Sequence, residues 1–376
     1  MPVCSLASVQ NQITLGEPLP FSVRDAQRLL LTRGEVIANE AQLQALLQLG
    51  AMVEFDEVAD TLQLAQRESP ALRLPRLPAE WSRVTGEVKQ ALCGPPSQMV
   101  GALASVTDQL LVLIDLSPEL ALSQVVRQPV TGSGHYGVNH SIHAATACHA
   151  AARQLGWQPH EQRQAFQAAL TMNLAILDLQ ARLSDQVSPL TAKQREVIHA
   201  HPIRGAEMLS AVGIADMAWL EAVRTHHEVP DGSGYPCRMT DVGELAELLR
   251  FADVYTAQLS RRANRPAMSP HQAGRRLHQM SASSPLTLAL IKAFGVYPPG
   301  SMVRLASGEL GVVVRNGEKA HRPLVATLTN AASEPTPTSV LRDSARDDHA
   351  VVALLSPQAM PVWISDERLA ELIGSV

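Results

Sequence analysis

No CxxC pair occurs among the four cysteines of this 376-residue chain, Cys4, Cys93, Cys148 and Cys237. That absence argues against a structural thiolate zinc site and against a disulfide framework. The expected compartment is a reducing one, the cytoplasm. Nor is there a lysine- or arginine-rich block, and the formal net charge is −5, so nothing points to duplex nucleic acid as a partner. A small anionic ligand stays open. The N-terminus, MPVCSLASVQNQ, has neither the basic start nor the apolar run of a signal peptide. No uninterrupted stretch approaches the roughly 18 apolar residues of a membrane span. The longest run, around residues 110–115, reads as part of a buried helix, so no membrane is expected as a partner. No internal repeat is visible.

What is present is a hydrophobic fraction of 46%, enough for a sizeable core and for two or three domains. Residues 1–54 read as a small mixed α/β domain: the pieces LPFSV, LLLT and EVI are strand-like, with a turn at Asp25-Ala26-Gln27. The run NEAQLQALLQL is a helix with Asn39 as its cap and Gly50 as its stop. Residues 55–96 carry Pro70, Pro75, Pro78, Pro95 and Pro96 and read as a linker with one helix near residues 81–93. Residues 97–330 show apolar spacings of three and four and predict a helical bundle, closed by a β-hairpin in PPGSMVRLASGELGVVVRN with its turn at Ser307-Gly308. Ser269-Pro270 and Ser284-Pro285 mark two helix starts, and Gly295 ends the second helix. Residues 331–376 read as a partly ordered tail. The fold class is mainly α, with a small α+β domain before the bundle and a short β-hairpin region after it.

Coordinating chemistry is concentrated in HHEVPDGSGYP, residues 226–236. Histidine and carboxylate side chains hold transition metals, and the core of a bundle is where facing helices build such sites. Of the thirteen histidines, His149, His160, His199, His271, His278, His321 and His349 read as surface or satisfied core residues. His140, His201, His226, His227 and Asp253 fall on helices of one bundle, and His201 stands before Pro202 inside a helical pattern, a break in local rules of the kind that marks function. Adjacent His226 and His227 point about 100° apart on a helix, so both reach one ion only at the helix end. The glycine-rich stretch from Asp231 to Gly234 can turn there and offer backbone N–H groups to a phosphate.

On these motifs the chain resembles the HD-GYP family, a branch of the HD phosphohydrolases that act on cyclic di-GMP. The likeness spans residues 135–330 and rests on NHSIHAA with His140, IHAHPIRGAEML with His201-Pro202, the HHExxDGxGYP element, and RFADVYTAQLSRRANRP with Asp253. It implies an HD-type helical bundle whose clustered His and Asp residues hold two or three metals, usually iron or manganese, that activate hydroxide for in-line attack on a phosphodiester. By the resemblance His201, His226 and His227 are metal ligands, joined by His140 and Asp253. Asp231, Gly232, Gly234, Tyr235 and Pro236 form the substrate-facing loop, and Arg262 and Arg265 fall at positions that contact ligand phosphates.

The family's HDxGK motif lies about 29 residues before the HP histidine and about 32 after the first histidine, and both spacings converge on Met172. There the sequence reads Met172-Asn173-Leu174-Ala175-Ile176. The His, the metal-bridging Asp, the Gly and the Lys are all replaced, and a neutral amide is a poor bridge between hard cations. Asp178, about 140° round the helix from Asn173, does not compensate. One metal position keeps only His140 and Asp253, whereas the other keeps three histidines. Tyr136 stands where some members carry an acidic third-metal ligand. The resulting expectation is at most one transition metal ion, Fe, Mn or Zn, or none. The protein then acts as a degenerate sensor, adaptor or scaffold toward a cyclic dinucleotide or a signalling-protein partner, with homodimerisation left open. Two rival readings stand beside it: an active metal-dependent phosphodiesterase for cyclic di-GMP or another nucleotide, and an inherited bundle with neither metal nor nucleotide.

Overall fold

A computed structural model describes the chain except residues 1–2, 7–12, 14, 20, 26–28, 33, 55–73 and 128–134. Two units emerge, residues 1–73 and 74–376, each with its own core. In the first, strands β1 (Val3–Ser5), β2 (Val23–Arg24), β3 (Leu29–Leu31) and β4 (Met52–Glu54) form an antiparallel sheet in the order β1-β4-β2-β3. Val23 lies opposite both Leu31 and Val53. Helix α1 (Glu40–Gln48) covers it, capped as its sequence indicates by Asn39, whose side chain accepts from the Gln42 N–H. Phe21, Val23, Ile37, Leu43 and Val53 make the core. The EVI segment contributes only an isolated bridge, Pro18 to Val36. Ala26 and Gln27 of the expected turn lie outside the described residues.

The second unit starts earlier than the linker reading places it. Residues 55–73 lie outside the described residues, but Leu77–Cys93 form a helix, α2, whose Trp81, Val84, Val88 and Leu92 enter the main core. Pro78 sits in the first turn of α2, and Pro96 opens the next helix, α3 (Pro96–Leu116). Those positions need no backbone N–H, so the prolines start helices instead of breaking them. In α3 an 18-residue window reaches a mean hydropathy of 1.6, enough by length and composition alone to cross a membrane. Its small residues escaped a count of uninterrupted apolar runs. The inner face, including Met99, Leu103, Val106 and Leu110, joins the core.

Helix α4 (Pro118–Val126) leads to the central helix α5 (Tyr136–Leu155). Buried Ala144, Ala145, Ala147, Ala151 and Ala152 on α5 let neighbouring helices approach closely. These are α6 (Pro159–Thr171), α7 (Leu177–Asp185), α10 (Glu244–Leu259) and α12 (Pro285–Phe294). Helices α8 (Ala192–Ala211) and α9 (Met217–Thr225) pack on one another, and α11 (Pro270–Met280) lies against α10. Thr191 and Ser269 close capping boxes at the starts of α8 and α11.

The expected hairpin is present, as β5 (Met302–Leu305) paired with β6 (Leu310–Arg315), and Gly308 turns between them at φ 88°. It belongs to a five-stranded antiparallel sheet. Residues 331–376 supply β8 (Leu341–Asp343) and β9 (Val351–Leu355), and β7 (Leu324–Thr327) completes the order β8-β7-β6-β5-β9. A last helix, α13 (Asp366–Gly374), buries Leu369, Leu372 and Ile373 in the core that holds Leu74 and Leu77. The tail is therefore ordered structure that closes the unit against its own beginning. Its period-two and helical runs are short, and what orders them is packing.

One core residue departs from the bland histidine reading. His149 on α5 is buried against the edge of Phe166, and neither ring nitrogen has a well-formed hydrogen bond, only a weak contact with the Gln162 backbone. Burial lowers its pKa, opposed by Asp115. The folded state then resists a proton that the unfolded chain accepts below about pH 6.5, so stability is complete above that pH and is lost as pH falls. We expect His149→Leu to stabilise the fold by about 1–3 kcal/mol at pH 8, the usual cost of a buried unpaired polar group. The gain should widen at pH 5, as measured by thermal melts at both pH values.

Candidate metal centre

His201 sits in the middle of α8, where Pro202 follows it inside the helix. Proline has no N–H, so the carbonyl four residues earlier, on Ile198, loses its helical partner. The imidazole of His201 takes it: Nδ1 lies 2.5 Å from the Ile198 oxygen. His226 is the C-cap of α9, beyond the last helical residue Thr225, and its Nδ1 lies 2.7 Å from the Val223 oxygen. A carbonyl only accepts, so both Nδ1 atoms carry the proton and both Nε2 atoms present lone pairs. Those two Nε2 atoms are 3.2 Å apart. Burial keeps both rings neutral, pushing His201 down to about 3, with the neighbouring His226 adding to the shift. His226 is likewise lowered, chiefly by burial.

Two lone pairs at that distance have no proton between them, and they are matched by one shared electrophile. Nitrogens bound to one tetrahedral ion through bonds of about 2.0–2.1 Å lie about 3.3 Å apart. His227 completes the set: the ligand atoms of His201, His226 and His227 all lie within 4.8 Å of one another. The two adjacent histidines converge because the helix has ended, their ring centroids 4.2 Å apart. His227 too is held well below its ordinary pKa, by burial first and then by His226. Three neutral nitrogens with these orientations fit one transition metal ion.

His140 and Asp253 form a separate pair beside this cluster. Nε2 of His140 donates to Oδ1 of Asp253 at 2.7 Å. Burial raises the Asp253 carboxyl, but the hydrogen bond and charge of His140 outweigh it and hold the group below its ordinary range. Tyr136 stacks on His140 at 5.9 Å, and Arg262 donates to the Tyr136 hydroxyl at 3.2 and 2.9 Å. Arg265 gives one N–H to the Ala257 carbonyl at 2.6 Å, and its Nε is buried without a partner.

Met172 and Asn173 are buried where α6 ends. The Met172 carbonyl reaches α8 at Gly205, one turn on from His201. Asn173 Nδ2 is buried and unpartnered. Leu174–Ile176 form one 3-10 turn before α7. Asp178 points outward and pairs with His135 at 3.0 Å, as its position round the helix implies. No carboxylate stands with the three histidines at ligand distance among the described residues.

The loop after His227 folds back on the histidines. Asp231 is exposed and accepts from the Ser233 N–H at 2.8 Å, an ordinary Asx turn, and Gly232 takes φ +76°. Gly234 is pressed flush against the preceding segment: a Cβ there would stand 2.6 Å from the His227 oxygen and 2.5 Å from the Glu228 Cα. Tyr235 stacks on His227 at 4.5 Å, and on its far side faces His199 at 5.0 Å. Glu228, buried, accepts from the N–H groups of Cys237 at 2.6 Å and Met239 at 3.0 Å. The sequence assigns no role to Glu228, and His199 is the exposed residue it was expected to be, with the Tyr235 contact in addition. Glu228 was visible inside the motif, whereas nothing in the sequence singles out His199.

Residues 110–285 match the model for the HD domain. Cyclic di-GMP phosphodiesterase PA4108 of Pseudomonas aeruginosa is 30% identical over 241 residues, 60% of this chain and 58% of that protein. Cyclic di-GMP phosphodiesterase PdeB of Borreliella burgdorferi is 24% identical over 127 residues, a third of each chain. Among solved structures, Bd1817, a HDG"Y"P protein from Bdellovibrio bacteriovorus, matches with a TM-score of 0.49 and 15% identity over 77% of this chain and 97% of that one. The chain thus spans less than two thirds of the length of these curated relatives. Residues 110–285 form an HD domain, with His140, His201 and Asp253 on helices α5, α8 and α10 and His226 and His227 just past the end of α9. HHExxDGxGYP, with its Tyr235 stacked on His227, is the feature by which the chain is similar to the HD-GYP family.

Pro202→Ala restores an N–H that competes with His201 for the Ile198 carbonyl. Thermal stability should stay level or rise, since alanine is the better helix former, whereas affinity for a transition metal should fall by about 10-fold or more, as for other lost supporting contacts. Melting curves and chelator competition measure the two effects separately.

Proposed function

We propose that this chain is an HD-GYP signalling protein whose phosphodiesterase centre is degenerate: it binds a cyclic dinucleotide beside a single-metal site and does not hydrolyse it. Recognition is passed on as a sensor or adaptor. The observation that carries this reading is the buried Met172-Asn173 pair at the end of α6, with Asn173 Nδ2 unpartnered and, among the described residues, no carboxylate at ligand distance with the three histidines. A metal bound by His201, His226 and His227 supplies Lewis acidity to a phosphate oxygen. A second ion would have only His140 and Asp253, already engaged with each other. The cyclic dinucleotide as ligand is suggested by the names of the relatives, and Arg262, Arg265 and the loop from Asp231 to Pro236 supply its polar contacts.

The catalytic consequence is large. Two-metal hydrolysis clamps the attacking and leaving oxygens together, and losing one preorganised electrostatic contact costs about 100- to 1,000-fold in rate. Here the carboxylate is absent, and Ile176 offers no cation. The rival reading, an active phosphodiesterase working through the remaining histidines, is favoured by the 30% identity to a protein named for that activity.

Elemental analysis after anaerobic loading with iron or manganese should give no more than one equivalent per chain. Cyclic di-GMP hydrolysis should not exceed a metal-only control, while calorimetry should detect nucleotide binding that Arg262→Ala weakens. Turnover abolished by His226→Ala establishes the phosphodiesterase instead. The combined change Met172→His, Asn173→Asp and Ile176→Lys should raise metal uptake toward two equivalents.

A further inference from the structure

Two of the three clustered histidines have their rings oriented by backbone carbonyls, Ile198 for His201 and Val223 for His226. For His227 the contacts are of another kind. Its ring lies face to face with Tyr235, centroids 4.5 Å apart and planes 22° apart, and Tyr235 is backed by His199 at 5.0 Å and 24°. We infer that Tyr235 and His199 are positioning residues for the third metal ligand, so that the loop read as facing the substrate also forms part of the metal centre. This rests on the three-histidine metal reading above.

An imidazole without an oriented hydrogen bond turns about its ring torsion, and each turn swings its ligand nitrogen off the shared point. A planar ring stacked on one face removes that freedom, provided the stacking ring is itself fixed. Tyr235 is fixed from three directions. Its N–H donates to the His227 carbonyl at 3.2 Å, which ties it to the residue it covers. Gly234 lets the backbone lie flush on His227 and Glu228, where a Cβ would stand 2.4–2.6 Å from backbone atoms. Beyond it, the Glu228 carboxylate holds the Cys237 and Met239 N–H groups. His199 then limits Tyr235 from the outside. It lies two residues before His201 on α8, so one helix carries both a ligand and the outer wall of the stack. The stack needs the ring of residue 235 and not its hydroxyl.

The test uses the full chain, Co2+ alone as the probe, and chelator competition to read affinity, with circular dichroism to follow the fold. Tyr235→Ala should weaken Co2+ binding by about 10- to 100-fold, the range for lost outer-shell support of a metal ligand. Tyr235→Phe should bind like the natural chain. His199→Ala, an exposed change that leaves the fold intact, should cost about two- to tenfold, the worth of one aromatic pair. Gly234→Ala should weaken binding with Tyr235 still present. Unchanged affinity in both Tyr235→Ala and His199→Ala overturns the inference, as does a Tyr235→Phe variant as weak as Tyr235→Ala. If Tyr235→Ala fails to fold, His199→Ala decides alone. A natural chain that binds no Co2+ overturns the metal reading itself and this inference with it, a result distinct from the others.

Discussion

The site depends on one electrostatic constraint: two imidazole Nε2 lone pairs, on His201 and His226, face each other at 3.2 Å with no proton to share. Each ring is locked in this state by the same device, an Nδ1–H given to a carbonyl that the helix has left free. In α8 the free carbonyl comes from Pro202; in α9 it comes from the helix end. The His-Pro dipeptide and the placing of the double histidine at a helix terminus are thus two solutions to one problem, supplying an acceptor for Nδ1 so that Nε2 is presented. Burial adds to the effect by keeping the rings neutral. Neutral, oriented and converging nitrogens are what a transition metal requires, and the surrounding helices are positioned so that this set meets at one point.

Around that point the chemistry is unequal. Three histidines keep the arrangement of a metal site, while the residues that would extend it to a second ion are either gone or turned on each other. His140 and Asp253 satisfy one another at 2.7 Å, with Tyr136 stacked beyond them and Arg262 on the Tyr136 hydroxyl. Met172, fully buried, packs where a charged group would carry a heavy desolvation cost, and exchanging buried charge for apolar volume is commonly neutral or stabilising. Asn173 is the exception, a buried amide with an orphaned nitrogen. Under the proposed function, an ion held by the three histidines would polarise a phosphate and the loop over it would help recognise one. That combination suits binding better than turnover.

Much of this was legible in the chain. The His-Pro break in a helical pattern marked His201, and the two spacings that converge on Met172 gave the altered motif its position at the end of a helix. The angle between adjacent helical side chains required His226 and His227 to lie at a terminus, which is where they are. The same angular argument placed Asp178 outside the site. Other readings failed for physical reasons. Pro78 and Pro96 read as linker punctuation in the sequence because a proline has the same signature whether it breaks a helix or opens one. The tail past residue 331 has strands and a helix too short to stand out, and Leu369, Leu372 and Ile373 acquire order only by meeting Leu74 and Leu77. His199 is exposed, as its sequence context indicates, but its contact with Tyr235, thirty-six positions away, was not legible.

By itself the sequence determined the inventory and the local geometry: which side chains carry lone pairs, and where helices begin and end. Those properties follow from covalent structure and short-range sterics, which spacing encodes directly. Only the tertiary structure decided which groups use one another. That the Ile198 carbonyl takes the His201 proton, that His140 spends its nitrogen on Asp253, and that Tyr235 lies between His227 and His199 are outcomes of helix packing around an alanine-rich central helix. Pairings of this kind are set by distances of a few tenths of an ångström across separate elements, and no spacing along the chain fixes those.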